Sequence, residues 1–180
     1  MTAALVLAAG AGRRMGGPKA LLTIAGETLL HRAARAALGA GCRPVLAVTG
    51  AWDPGLEGLA VGTVPNPGAE EGMASSIRVG IAALPAAQSV LLLTVDQLAV
   101  DEVLLRRLLA LAATDPSRPA ACAYAGTVGI PAVLPRRLFP ELLALRGDRG
   151  AKALLLRESA ATLPFPEGAA DLDTPEDLRR

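Results

Sequence analysis

The apolar run Leu5-Val6-Leu7-Ala8-Ala9 stops at Gly10, and the segment after it carries Gly12, Gly16, Gly17, Arg13, Arg14 and Lys19 without one acid. The run is far too short to span a membrane and predicts a buried strand feeding an anion-binding loop. Glycines let backbone N–H groups approach a ligand closely, and Arg14 and Lys19 add full positive charge. The ligand such a loop suits is a phosphate chain.

Two familiar phosphate loops fail on inspection. The dinucleotide fingerprint G-x-G-x-x-G needs glycine where Met15 stands, and the next predicted strand, Val45 to Thr49, ends in Gly50 with no acid for a ribose. The ATPase loop G-x-x-x-x-G-K-[ST] starts at Gly12 and Gly17, but Pro18 separates glycine from lysine and Ala20 replaces the magnesium-binding hydroxyl.

What the stretch resembles is the signature L-x-A-G-x-x-x-R-M-G-x-x-K of the MobA-like NTP transferases. Leu7, Ala9, Gly10, Arg14, Met15, Gly16 and Lys19 fall on it, and Leu7-Ala8-Ala9-Gly10 with Pro18-Lys19 is most similar to the molybdenum cofactor cytidylyltransferases. The resemblance implies one nucleotidyltransferase domain over residues 1–180. Its fold would be a three-layer α/β/α sandwich with a mainly parallel, Rossmann-like sheet of the nucleotide-diphospho-sugar transferase type.

Composition points to one domain with a small-molecule partner. A chain of 180 residues can bury on the order of 70% of its unfolded surface as one domain. Net charge is +1 with the charges scattered, which indicates neither a nucleic-acid track nor a membrane-binding patch. Cys42 and Cys122 lack C-x-x-C spacing and read as core residues. Basic residues follow the first apolar run where a signal peptide would place them before it, so a cytoplasmic protein is expected.

Along the chain, Thr28 reads as the N-cap of a helix through Leu38, and His31 in its first turn is assigned no role. Val45 to Thr49 and, more weakly, Val61 to Val64 read as strands, and strands alternating with helices imply a parallel sheet. Asn66 to Ile77 is a turn-rich loop opening a helix, so Gly72 to Ser76 can offer N–H groups and hydroxyls at a positive helix end. The family carries a similar N-x-x-x-x-E-G-M-x-x-S segment beside the nucleotide base and sugar. The resemblance thus implies nucleotide binding by Leu7, Ala8, Ala9, Gly10, Gly12, Arg14, Lys19, Asn66, Gly72, Met73 and Ser75.

Ser89 to Val95 is the clearest buried strand, and Asp96 follows at once. A carboxylate at the carboxyl end of a central parallel strand faces the crevice where open α/β sheets bind ligands, and a hard oxygen there suits Mg²⁺. Family members show D-x-P at this point, where this chain has Asp96-Gln97-Leu98. Near the end, Thr174, Pro175 and Asp177 make a capping box that leaves Asp171 and Asp173 in an extended segment before a helix. The family carries a similar D-x-D-T-P-E-D element whose acid supplies a second metal ligand, expected here at Asp173 with Asp171 as the alternative.

Between them, Asp101 to Ala113 reads as a helix and Ala120 to Tyr124 as a strand. Gly129-Ile130-Pro131 resembles the family's G-x-P turn by the acceptor, and Pro135 to Leu145 reads as a short helix interrupted at Pro140. Gly147-Asp148-Arg149-Gly150-Ala151-Lys152 resembles the family's G-D-x-G-A-[RK] element, with charges meeting either a second phosphate or solvent.

The implied activity is transfer of a nucleoside monophosphate from an NTP, with CTP expected, to a phosphorylated acceptor of the molybdopterin kind, releasing pyrophosphate. Arg14, Lys19 and Asp96 are the expected catalytic residues, and Asp96 and Asp173 the expected ligands of Mg²⁺. The product would pass to a molybdoenzyme or another cofactor-pathway protein. Alternatives are GTP as donor, a sugar phosphate as acceptor, or an NTP-binding module without turnover.

Overall fold

The computed structural model describes residues 1–10, 12 and 17–170. Residues Thr2–Leu7 form β1, Thr23–Ile24 and Glu27–Thr28 the small hairpin β2–β3, and Leu29–Gly39 the helix α1. Then come β4 (Val45–Thr49), β5 (Val61–Pro65), α2 (Met73–Ala82), β6 (Ser89–Thr94) and α3 (Glu102–Thr114). The last third holds β7 (Ala120–Tyr124), β8 (Thr127–Pro135), α4 (Phe139–Leu143), α5 (Lys152–Arg157) and β9 (Ala161–Pro164).

Seven strands make one sheet in the order β5-β4-β1-β6-β8-β7-β9. β1 is an interior strand, third in this order, parallel to β4 and to β6, with Leu7 opposite Val48 on one side and Thr94 on the other. The alternation of a strand divides its side chains between two cores. Ala4 and Val6 of β1, with Leu91 and Leu93 of β6, pack under α1 and α3, while Leu5, Val90 and Leu92 pack under α2, α4 and α5. The result is the three-layer α/β/α arrangement expected from the sequence.

The expected cap at Thr28 is present, and Asp101, read as the first residue of its helix, instead caps it. Thr28 Oγ1 accepts from the His31 N–H at 3.1 Å, and Asp101 Oδ1 accepts from the Leu104 N–H at 2.8 Å. His31 itself pairs with Glu27 at 2.7 Å. Gly80 brings α2 close to β1, because a Cβ there would stand 2.7 Å from Leu5 Cδ1. Burial pushes the Cys42 thiol up to about 11 and the Cys122 thiol up to about 12, so both are protonated core residues.

Three local differences from the sequence reading stand out. The segment read as a turn at Gly129 is the middle of β8, a nine-residue strand antiparallel to both β6 and β7. It is joined to β7 by Ala125-Gly126, both at positive φ, the two-residue turn that fits strand twist. β9, not anticipated at all, adds to β7 in parallel. Pro140 does not interrupt a helix: it sits in the first turn of α4, where its missing N–H costs no hydrogen bond.

Candidate active site

The carboxyl ends of β1 and β6 open onto a cleft of about 430 Å³. One wall is the strand-to-loop passage Leu7-Ala8-Ala9-Gly10 with Gly12, and Thr94-Val95-Asp96 continues it from β6. Lys19 and Ala20 come in from the 3₁₀ turn Lys19–Leu21, which fully buried Ala20 anchors in the core. Ala69, Gly72, Met73 and Ser76 form the facing wall, joined by Asp148.

Two glycines shape this space. Gly12 has φ +55°, and a Cβ on it would collide with the Gly17 carbonyl, so the close approach of Gly12 to Gly17 needs glycine at this position. Gly72 caps α2 with φ +118° and ψ −171°, a conformation essentially restricted to glycine. A Cβ there would collide with Asp148 Oδ1 and stand 2.7 Å from the Gly147 carbonyl oxygen.

Lys19 Nζ lies 3.8 Å from Asp96 Oδ2, with the two side chains 20% and 25% exposed. A cation and an anion thus face one another at the point where the two central strands end. That suits a ligand carrying both phosphate charge and a divalent ion: the ammonium can hold phosphate oxygens, and the carboxylate can hold a hard cation. Among the described residues no group of three His, Cys, Asp or Glu side chains is close enough to hold a metal by itself.

Behind the facing wall a polar network fixes the loop between β5 and α2. Asn66, 4% exposed, donates through Nδ2 to Ser75 Oγ at 2.8 Å and Ser76 Oγ at 3.0 Å, and its Oδ1 accepts from the Gly68 N–H. Ser75 Oγ donates to the Gly72 carbonyl at 2.9 Å. Asn66 and Ser75 therefore build the wall from behind instead of lining the cleft; Ser76, one residue on, does line it. On the outer side, Glu71 and Arg78 are ion-paired at 2.5 Å. Arg78 also donates to the Leu145 carbonyl, and Glu71 accepts from the Gly147 N–H at 3.2 Å. Arg78 foremost, then the Gly147 N–H, hold the Glu71 carboxyl down at about 2.

Of the residues expected from sequence, Leu7, Ala8, Ala9, Gly10, Gly12, Lys19, Gly72, Met73 and Asp96 all meet in this cleft. Arg14, Asp171 and Asp173 lie outside the described residues. Gln97, the residue after Asp96, is 7% exposed and donates to the Gly168 carbonyl at 3.1 Å, tying the β6 loop to the 3₁₀ turn Pro166–Ala169. Sequence reasoning left Asp148 without a role, although the G-D-x-G-A element pointed to its neighbourhood.

The family model described as "MobA-like NTP transferase domain" matches residues 4–162. The chain belongs to this family. The MobA-like NTP transferase is 33% identical to a molybdenum cofactor guanylyltransferase of Rhodobacter capsulatus, over 99% of this chain and 93% of that protein. It is also 35% identical to a nicotine blue oxidoreductase of Paenarthrobacter nicotinovorans, over 84% of this chain and 79% of that protein. A crystal structure of a Mycobacterium tuberculosis H37Rv protein in complex with manganese superposes with a TM-score of 0.76 at 29% identity, covering 99% of this chain and 96% of that one. The fold as a whole recurs among solved nucleotidyltransferases. No helix among the described residues is long and apolar enough to cross a membrane.

Proposed function

We propose that this MobA-like NTP transferase moves a nucleoside monophosphate from an NTP to a small phosphorylated acceptor and releases pyrophosphate, the whole chain acting as one catalytic domain. The observation that carries the reading is the opposed pair Lys19 and Asp96 in the cleft at the ends of β1 and β6. Lys19, with Arg14 of the same signature, holds the β- and γ-phosphates. Backbone N–H groups of the glycine loop and the wall at Gly72 and Met73 hold the nucleoside. A phosphate oxygen of the acceptor attacks the α-phosphorus in line. That acceptor is already anionic near neutral pH, so the site needs no general base. Positioning and charge neutralisation are the catalytic means.

The donor set fits Mg²⁺, which takes one or two carboxylates and leaves its remaining positions to water and phosphate oxygens. Asp96 would hold it, with Asp173, or Asp171 in its place, as the second carboxylate. The ion would supply neutralisation of the charge that builds on the phosphates. A manganese complex of a 29% identical protein supports a divalent ion of this kind.

For the nucleotide we favour CTP, because Ala9, buried against the cleft, puts a methyl beside the backbone that meets the base, and a pyrimidine needs less room than a purine. The guanylyltransferase of Rhodobacter capsulatus favours GTP as a second reading. A molybdopterin-type acceptor, a cytoplasmic setting and passage of the product to a molybdoenzyme complete the proposal. A redox role, which the name of the Paenarthrobacter relative raises, is not supported by the glycine loop, since Met15 stands where a dinucleotide fingerprint has glycine.

A thermal-shift panel of the four NTPs with Mg²⁺ and NAD as control, followed by a pyrophosphate-release assay with phosphorylated acceptors, tests this. A ligand at 100 times its Kd stabilises the fold by about 2.7 kcal/mol. A shift with CTP and acceptor-dependent pyrophosphate release is expected. A GTP preference would move the reading to the guanylyltransferase. Binding without release would reduce it to an NTP-binding module, and a response to NAD alone would overturn it.

A further inference from the structure

We propose that Gln97 is a positioning residue: through the Gly168 carbonyl it ties the loop that carries Asp96 to the turn Pro166–Ala169, and so holds Asp96 in place for the divalent ion. The inference rests on the metal site of the proposed function. It adds to that site a residue that acts without touching metal or substrate.

Asp96 lines the cleft, whereas Gln97, the next residue, is 7% exposed and does not. Its Nε2 donates to the Gly168 carbonyl at 3.1 Å. Its Oε1 is buried without a hydrogen-bond partner among the described residues. A buried acceptor left unmatched costs stability, so packing alone would favour an apolar side chain at this position. The amide is therefore accounted for by what its one bond holds, not by the stability it adds.

That bond ends on a firmly seated turn. Gly168 is wedged between two rings, since a Cβ on it would stand 2.5 Å from Phe165 Cδ1 and 2.7 Å from Tyr124 Cδ1. The rings meet edge to face with centroids 6.2 Å apart, and the Tyr124 hydroxyl donates to the Ile130 carbonyl at 2.9 Å. The Phe165 N–H donates to the Ala123 carbonyl of β7, and the Phe165 carbonyl accepts from the Gly168 N–H, both at 2.9 Å. On its other side the Asp96 loop meets α1, where Arg32 donates to the Leu98 carbonyl at 2.9 Å. Asp96 thus stands on a loop braced between α1 and the turn at Gly168. In sequence, Gly168 is followed three residues on by Asp171 and five on by Asp173, so the same bond joins the two stretches that would supply carboxylates to the ion. A carboxylate held in place beforehand need not be ordered when the ion binds.

Gln97→Met keeps the length of the side chain without its donor, and Gly168→Ala forces the added methyl against the two rings and so moves the acceptor. The two variants reach one bond from its two ends, and Asp96→Ala serves as the reference for a lost metal ligand. Thermal melts, Mn²⁺ affinity of the nucleotide-free protein by electron paramagnetic resonance, and the Mg²⁺ dependence of pyrophosphate release are measured for each. Gln97→Met should melt within a few degrees of wild type, because it exchanges one unmatched acceptor, Oε1, for another, the Gly168 carbonyl. It should nevertheless bind Mn²⁺ roughly 10-fold more weakly and need correspondingly more Mg²⁺, with KM for the NTP at saturating Mg²⁺ unchanged. The double variant Gln97→Met with Gly168→Ala should bind Mn²⁺ no more weakly than the worse single change, since both act through one bond. A lowered melting temperature with wild-type Mn²⁺ affinity would make Gln97 a packing residue and overturn the proposal, as would losses in Mn²⁺ affinity that add in the double variant. Wild-type Mn²⁺ affinity in Gln97→Met while Asp96→Ala loses the ion overturns the role of Gln97 and leaves the metal site standing. Wild-type affinity in Asp96→Ala as well overturns the metal site, and the role of Gln97 with it.

Discussion

Lys19 Nζ and Asp96 Oδ2 lie 3.8 Å apart, the lysine on the turn that follows the glycine loop and the aspartate just beyond the end of β6. Neither is buried, so the pair adds little to stability; exposed ion pairs are worth at most about 1 kcal/mol. In the proposed reaction it would serve instead by bringing opposite charges to the mouth of one cleft, where a metal–phosphate complex would offer both signs in return.

From this pair comes the first prediction. Asp96→Ala and Lys19→Ala should each lower turnover by on the order of 10², the scale seen when a preorganised electrostatic group is removed. Melting temperature should move by only a few degrees. Pyrophosphate release and thermal melts measure both; unaltered turnover in either variant would remove that residue from the mechanism.

Gly72→Ala tests the facing wall. Its backbone angles are costly for any residue with a Cβ, by roughly 1–3 kcal/mol, and the added methyl collides with Asp148 and the Gly147 carbonyl. We expect a lower melting temperature together with weakened nucleotide affinity. A variant as stable as wild type would mean that the loop tolerates another conformation.

Asn66→Ala should destabilise without touching the ligand directly. It removes donors to Ser75 and Ser76 and an acceptor for Gly68 in a buried setting, a loss of about 1–3 kcal/mol. Denaturant titration gives the number. Wild-type stability would show that Asn66 is dispensable to the wall.

The Glu71–Arg78 pair gives a pH dependence whose direction follows from linkage. The Glu71 carboxyl titrates at about 2 in the fold, below its unfolded value of about 4.3, so its ionised form stabilises the native state. That contribution is complete above the unfolded value and disappears as pH falls toward 2. Glu71→Gln should therefore melt below wild type at pH 7, with the gap narrowing under pH ~4.5. A gap independent of pH would point to packing, not charge.

What the sequence by itself determined was contiguous. The strand-to-glycine-loop passage that begins at Leu5, the cap at Thr28, and the run Ser89 to Val95 ending at Asp96 are each written in a short window, because periodicity, capping and turn chemistry are local effects. Only the tertiary structure decided which windows meet. β8 enters antiparallel between β6 and β7 through an Ala125-Gly126 turn, and alanine at positive φ gives no turn signal to read. Asn66 and Ser75 lie in the expected loop, yet burial turns their side chains toward each other and leaves the cleft to Gly72, Met73 and Ser76. Asp148 reaches the cleft because two backbone hydrogen bonds and the Glu71–Arg78 pair seat its loop on the start of α2. Such contacts form between segments far apart in the chain, and their energies depend on distances that no window of residues contains.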